Sequence, residues 1–109
     1  MRPLGLHQIY LYDQAIDMRY SFEGLSRLVE STFPGQLLTG ALFLFLNRRR
    51  DLIKILSWEG DGFAIWYKRL EQGTFSRCFH DTGQLTRQQL TLLLEGVVPQ
   101  RLNKRFSLQ

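Results

Sequence analysis

Residues 42–75 contain three or four consecutive segments with the pattern of β-strands, separated by short polar turns. The stretch that opens this series, residues 41–46 (ALFLFL), is apolar at every position, which predicts a strand covered on both faces. Residues 52–58, 63–69 and 74–79 are the following predicted strands. Because the connections are only a few residues long, we expect successive strands to pair antiparallel. The series therefore predicts a sheet meander at the centre of the fold.

A strand and a helix are predicted before this meander. Residues 7–12 (HQIYLY) alternate as a first strand. We expect Asp17 to be the N-cap of a helix that ends near residues 31–32, because its carboxylate can accept from free first-turn amides. Gly24 lies inside this helix, where glycine is costly, and suggests that another backbone packs close. The expected apolar stripe consists of Met18, Phe22, Leu25, Leu28 and Val29.

A second helix is predicted from a capping box near the end of the chain. Thr86 is the expected N-cap, and Gln89 lies three residues further on, where its side chain can bond back to the cap. Gly96 is expected to end the helix, and its predicted buried residues are Leu90, Leu93 and Leu94. The fold class predicted is α+β: an antiparallel β-sheet meander of about four to five strands with two packed α-helices. Residues 1–98 are expected to form one domain, and 99–109 a basic C-terminal tail.

The positive charge of the chain is unevenly distributed. Its 109 residues carry 14 Lys+Arg and 10 Asp+Glu, a net charge of +4. Residues 1–40 hold three basic and four acidic groups, whereas residues 41–109 hold eleven basic and six acidic groups. The basic character therefore belongs to the predicted sheet and the C-terminal part, and it is compatible with a polyanionic partner.

Several classes of function have little support in this sequence. A single cysteine, Cys78, excludes an internal disulfide. The two histidines lie far apart, no glycine-rich phosphate loop is present, and the carboxylates form no evident cluster, so we predict no metal site, no cofactor and no catalytic residue. No apolar run has the roughly 18 residues of a membrane span, and the N-terminus lacks the pattern of a signal peptide, so we expect a cytoplasmic protein without membrane contact.

The turn at residues 47–51 (NRRRD) carries the sharpest candidate for a binding site. Arginine forks bind phosphate oxygens, and a hairpin held by two strands can position them. Further basic side chains lie on the strands that flank this turn. The predicted DNA-binding residues are Arg48, Arg49, Arg50, Lys54, Lys68 and Arg69.

A protein-interaction surface is the main alternative for the same region. The strands are rich in aromatic residues, and a small open sheet leaves an edge strand exposed to partners. Arg19 is electrostatically unfavourable in the first turn of the predicted helix, so it either serves a partner or is an ordinary surface arginine. Arg19 and Trp58 are the predicted partner-binding residues, and the oligomeric state, including a homo-oligomer, stays open.

A series of short motifs follows in a distinctive order along the chain. These motifs are Asp17-Met18-Arg19, Gly24-Leu25, Phe43-Leu44-Phe45, Arg48-Arg49, 53–58 (IKILSW), Gly62, 68–75 (KRLEQGTF) and 85–97. Their order and spacing resemble a known family, the small accessory proteins (TnpB/Orf2-like) encoded by the second reading frame of insertion-sequence 66-type transposons. The departures from the family pattern are Tyr20, Leu52 and Glu59, where lysine, arginine and aspartate are usual.

This resemblance implies a role in bacterial DNA transposition beside a separate, larger transposase. It implies no cofactor and assigns no catalytic residue to the chain. The expected partners are transposon-end DNA, the transposase or other transposition proteins. The leading hypothesis is contact with DNA through the basic hairpin, and the alternative is a module that docks on the transposase or another subunit.

Overall fold

The computed structural model describes residues 8–76 and 83–96. Its elements follow in the order β1 (Ile9–Leu11), α1 (Phe22–Thr32), β2 (Leu42–Leu46), β3 (Leu52–Trp58), β4 (Phe63–Arg69), β5 (Gln84–Leu85) and α2 (Arg87–Glu95). The five strands form one sheet in the order β4-β3-β2-β1-β5. The α+β class is therefore confirmed.

The sheet is mixed, which corrects the prediction of a purely antiparallel sheet. β2, β3 and β4 form the expected antiparallel meander, but β1 pairs parallel with β2. The physical reason is the connection between β1 and β2, which contains α1 and returns the chain to the end of the sheet at which β1 began. The chain then crosses back after β4, and β5 pairs antiparallel with β1.

The two helices cover opposite faces of the sheet, which we call the α1 face and the α2 face. On the α1 face, Leu25 and Val29 of α1 pack with Phe43 and Phe45 of β2. On the α2 face, a second cluster contains α2 residues and the alternate positions of the strands: Leu90, Leu93, Leu42, Leu44, Leu46, Ile9, Leu11, Ile53, Phe75 and Leu85. β2 is buried along its whole length because both of its faces are covered, as its apolar sequence predicts.

α1 begins later than predicted, and Asp17 is not its N-cap. Ser21 occupies the N-cap position, and its side chain makes no capping hydrogen bond. Asp17 instead accepts hydrogen bonds from the backbone and side chain of Arg19, which hold a turn ahead of the helix. A Cβ on Gly24 would lie 3.0 Å from the Tyr20 ring, so this glycine accommodates a side chain and not the backbone that we expected.

α2 follows the prediction closely. The Thr86 side chain accepts from the Gln89 amide at 3.1 Å, and the Gln89 side chain accepts from the Thr86 amide at 2.8 Å. Gly96 ends the helix with a φ of 78°, a conformation that favours glycine. Within the described residues, neither helix is long and apolar enough to cross a membrane.

The last predicted strand, residues 74–79, is not a strand in its described part. Thr74 makes an isolated bridge only, and Phe75 inserts into the α2-face core. Residues 77–79, the proposed tail at 99–109 and the boundary near residue 98 lie outside the described residues.

Candidate nucleic-acid interface

The hairpin turn between β2 and β3 is held by the side chain of Asn47. Its amide oxygen accepts from the backbone amides of Asp51 and Leu52 at 3.1 and 3.0 Å, and its amide nitrogen donates to the Asp51 carboxylate at 2.7 Å. These bonds fix the turn without using the side chains of Arg48 and Arg49, which are both exposed. The first two arginines of the predicted tip are therefore available to a ligand.

Arg50, the third arginine, is directed towards the protein. Its φ of 60° lies in the left-handed region, which turns the backbone at this position. Its guanidinium donates to the carbonyl oxygens of Phe75 and Ser76, and the Phe75 amide donates to the Arg50 carbonyl at 2.7 Å. Arg50 thus fastens the segment after β4 to the hairpin, and it does not lie beside Arg48 and Arg49 as a third exposed cation.

Lys54 is buried and does not lie on the exposed surface either. Only 8% of the residue is exposed, and its ammonium donates to the carbonyls of Met18 and Tyr20 at 2.8 and 2.6 Å. The ammonium also lies 4.9 Å from the centre of the Tyr67 ring. Lys54 therefore anchors residues 18–20 to the sheet, and this structural role accounts for a lysine at this position.

Lys68 and Arg69 are exposed, but they lie on opposite faces of β4. Strand pairing sets Arg69 opposite Leu52 and Lys68 opposite Ile53, at the end of the sheet where the hairpin turn lies. The Nε atom of Arg69 lies 3.7 Å from a carboxylate oxygen of Glu71, and the side chains of Arg69 and Glu71 are both largely exposed, so this ion pair is weak. Arg48, Arg49, Lys68 and Arg69 thus gather at one end of the sheet, which we call the basic end.

Asp51 lies among these cations as an ionised group. The hydrogen bond from Asn47 lowers the pKa of the Asp51 carboxyl, and the charges of Arg49 and Arg69 lower it further. Arg49 and Arg69 therefore both act on this carboxylate from the basic end. The basic end keeps a positive balance, because its four exposed cations outnumber the carboxylates of Asp51 and Glu71.

The predicted partner-binding residues are separated along the α1 face. Arg19 forms a two-pronged ion pair with Asp17, with nitrogen–oxygen distances of 2.6 and 3.0 Å. It belongs to the turn that Lys54 anchors. Trp58 is half-buried near the opposite end of β3, where its ring meets Phe63 edge-on with the centroids 5.0 Å apart. These two residues therefore do not form one patch.

Two aromatic residues beside Arg19 were missed by the sequence analysis. Tyr20 and Phe22 are 41% and 46% exposed. The predicted early start of α1 had placed Phe22 on the buried stripe, whereas the observed start puts it in the first turn, facing outward. Departure from the family pattern at Tyr20 was the signal that could have drawn attention to this turn.

An open cavity of about 650 Å³ lies next to the basic end, at the carboxyl ends of the parallel strands β1 and β2. Its polar lining includes Asp13, Gln14, Asn47 and Arg48. In the part of the chain that the structure describes, no group of three or more potential metal ligands is present.

The chain matches one protein family along most of its length. A family model described as IS66 Orf2 like protein matches residues 7–104. "Uncharacterized protein y4hO" of Sinorhizobium fredii (strain NBRC 101917 / NGR234) is 30% identical over 100 residues, which cover 89% of this chain and 87% of that protein. "Uncharacterized protein y4jC" of the same strain is 32% identical over 68 residues, 62% of this chain and 58% of that protein. No solved structure matches. The resemblance seen in the sequence motifs is confirmed.

Proposed function

Because the chain belongs to the IS66 Orf2-like family and is thus an accessory protein of transposition, we propose that it contacts DNA through its basic end. The chemistry of strand cleavage and joining is left to the separate transposase that the family implies.

The observation that supports this proposal is the gathering of Arg48, Arg49, Lys68 and Arg69 at one end of the sheet. Exposed arginine forks and a lysine suit phosphate oxygens, and contacts to phosphates position a protein on DNA without reading its sequence. The six residues predicted from the sequence do not share one surface, so the proposed interface is narrower than the predicted one. It excludes Arg50 and Lys54, whose side chains bond to backbone carbonyls.

Salt-dependent binding to duplex DNA that carries the ends of the element tests this interface. The logarithm of the binding constant should fall with the logarithm of salt concentration by about 0.9 for each phosphate neutralised. We expect the double variant Arg48→Ala/Arg49→Ala to reduce that slope by about 2 and to weaken binding.

A matched control removes the same charge elsewhere. Arg27 and Arg87 are exposed arginines on the two helices, away from the basic end. The variant Arg27→Ala/Arg87→Ala should leave the slope unchanged. If the two double variants lose DNA affinity equally, binding depends on the overall charge and not on this interface. Salt-independent binding by the wild-type chain, or no binding, would refute the proposal.

A second candidate function is docking on the transposase through the turn ahead of α1, residues 17–22. Exposed aromatics beside an arginine are typical of the energetically dominant part of a protein interface. Here Tyr20 and Phe22 lie next to Arg19, whose guanidinium is held by Asp17, and Lys54 anchors the turn from below. The turn is therefore rigid before a partner arrives, which lowers the entropic cost of binding.

Co-purification with the transposase after nuclease treatment tests this docking. We expect the double variant Arg19→Ala/Tyr20→Ala to lose the association and to retain DNA binding, and Arg27→Ala to retain both. Association that nuclease treatment abolishes would show that DNA, and not this turn, links the two proteins.

A further inference from the structure

β4 leaves one of its two backbone edges open. It is the terminal strand of the sheet, so among the described residues no strand pairs with its outer side. The edge is seven residues long, and its central Trp66 and Tyr67 are 48% and 52% exposed. Long edges with exposed aromatics are places where a further strand can add to a sheet.

The hydrogen bonds around β4 identify which of its backbone groups face outward. The Glu59 amide donates to the carbonyl oxygen of Gly62 at 2.8 Å, and the Leu70 amide donates to the backbone carbonyl oxygen of Asp51 at 2.8 Å. Antiparallel pairs alternate between bonded and non-bonded positions, so Ala64, Trp66 and Lys68 bond to β3 between these two points. The amides and carbonyls that point away from the sheet belong to Phe63, Ile65, Tyr67 and Arg69.

We propose that β4 pairs antiparallel with β4 of a second copy of this chain, with Trp66 opposite Trp66 of the partner subunit. This register brings Ile65 opposite the partner's Tyr67 and Phe63 opposite the partner's Arg69. Every outward-facing amide and carbonyl of the strand then meets an outward-facing group of the other copy. If the register is displaced by two residues, some of these outward-facing amides and carbonyls have no partner. If it is displaced by one residue, they lie opposite groups of the other copy that are already bonded to β3.

The side chains of β4 are self-complementary in the same register. Lys68 lies opposite the partner's Ala64, and Arg69 lies opposite the partner's Phe63. The cations of each copy therefore lie opposite apolar residues of the other copy and not opposite each other. They are at opposite ends of the paired strands. The Trp66 position is non-bonded, where cross-strand side chains approach most closely, so the two indoles lie together on the α2 face.

A second copy of the chain fits this edge because the proposed pairing is symmetric. It has a twofold axis that passes between Trp66 and the partner's Trp66. Closed pairs of identical chains use the same patch on both subunits, with each residue contacting its counterpart. The charge distribution satisfies that condition, since the cations of β4 all lie in its second half and its first half is uncharged.

Disulfide trapping tests the register directly. In a Cys78→Ser background, Trp66→Cys should form a covalent dimer under mild oxidation, because the two sulfurs meet at the axis. Lys68→Cys is the matched control on the same strand and face, and it should not trap, because it lies opposite the partner's Ala64. Adding Ala64→Cys to Lys68→Cys should restore trapping. No covalent dimer with Trp66→Cys, or equal trapping with Lys68→Cys, would overturn the register.

Sedimentation of the unmodified chain tests the dimer itself. We expect a concentration-dependent dimer, and Trp66→Lys should weaken self-association at least about tenfold, since it sets like charges directly opposite each other. Leu38→Lys, a change of the same kind at an exposed residue outside the edge, should leave the dimer intact. A chain that stays monomeric at all concentrations, or a dimer unaffected by Trp66→Lys, would refute the proposal.

Discussion

At the residue scale, Lys54 shows that a basic side chain on a strand can be buried and bond to backbone carbonyls instead of contacting a ligand. On β3 it alternates in step with Leu52 and Leu56, and this parity places it on the α1 face between apolar neighbours. The sequence therefore already contained the signal for its burial. Its two hydrogen-bond partners, however, lie more than 30 positions away in the chain, and nothing local in the sequence predicts them.

Replacing Lys54 should destabilise the protein. Lys54→Met removes two charge-assisted hydrogen bonds to the carbonyls of Met18 and Tyr20, so we expect the free energy of unfolding to fall by about 1–3 kcal/mol. Lys68→Met changes an exposed lysine on the opposite face of the sheet and should alter it by less than about 0.5 kcal/mol. Denaturant unfolding measures both. Similar losses for the two variants would contradict an anchoring role of Lys54.

The ion pair of Asp17 and Arg19 predicts a specific titration. The hydrogen bonds from Arg19 lower the pKa of the Asp17 carboxyl from 3.8 to about 2. Because the folded-state pKa is depressed, the contribution of this pair to stability is present above pH 3.8 and is lost as the pH falls towards 2. Carboxyl NMR shifts should show the low midpoint in the wild type and in Arg27→Gln. In Arg19→Gln the midpoint should return towards 3.8, and an unchanged midpoint would remove Arg19 as the cause.

Local signals predicted the elements best when all of their partners were near in sequence. The capping box of α2 involves only Thr86 and Gln89, and it is present as predicted. The hairpin turn at residues 47–51 was also predicted, but the direction of Arg50 was not, because its carbonyl partners lie at Phe75 and Ser76. Adjacent positions on a strand face opposite ways, so the alternation rule could have separated Lys68 from Arg69.

The turn offers a test of whether Arg50 stabilises through its side chain. Arg50→Ala loses the guanidinium bonds and keeps the left-handed conformation, so we expect the free energy of unfolding to fall by about 1–3 kcal/mol. Arg50→Gly should lose less, because glycine removes the cost of about 1 kcal/mol that this conformation imposes on other residues. If Arg50→Gly proves more stable than the wild type, the side-chain bonds contribute less than the strain.

At the scale of the whole molecule, the sequence predicted the class of the fold but not its complete topology. The antiparallel meander of β2, β3 and β4 follows from short turns between apolar strands. The parallel pairing of β1 follows from the long helical connection, which the antiparallel prediction left out of account. β5 is two residues long, and its pairing with β1 depends on contacts that no local pattern reveals.

The two cores on opposite faces should respond independently to mutation. Val29→Ala on the α1 face should cost about 2 kcal/mol, and Ile53→Val on the α2 face about 1 kcal/mol. The sheet separates the two sites, so the double variant should show their sum to within about 0.5 kcal/mol.

The control for this additivity combines Ile53→Val with Leu46→Ala. These two residues are cross-strand neighbours on the same face, so their double variant should depart from additivity by more than about 0.5 kcal/mol. Chemical unfolding provides all the values. Strong coupling between Val29 and Ile53 would contradict two separate cores.

The position of β1 also sets an order for folding during synthesis. β1 is made first, yet it pairs with β2 through Leu42 and with β5 through Leu85, which leave the ribosome much later. The hairpins of β2, β3 and β4 need only short loops and can form while the rest of the chain is still being made. β1 must wait for its second neighbour, because β5 and the α2 residues that cover this side are the last of the described elements to be made. The first of the described strands to be made is therefore the last to be enclosed.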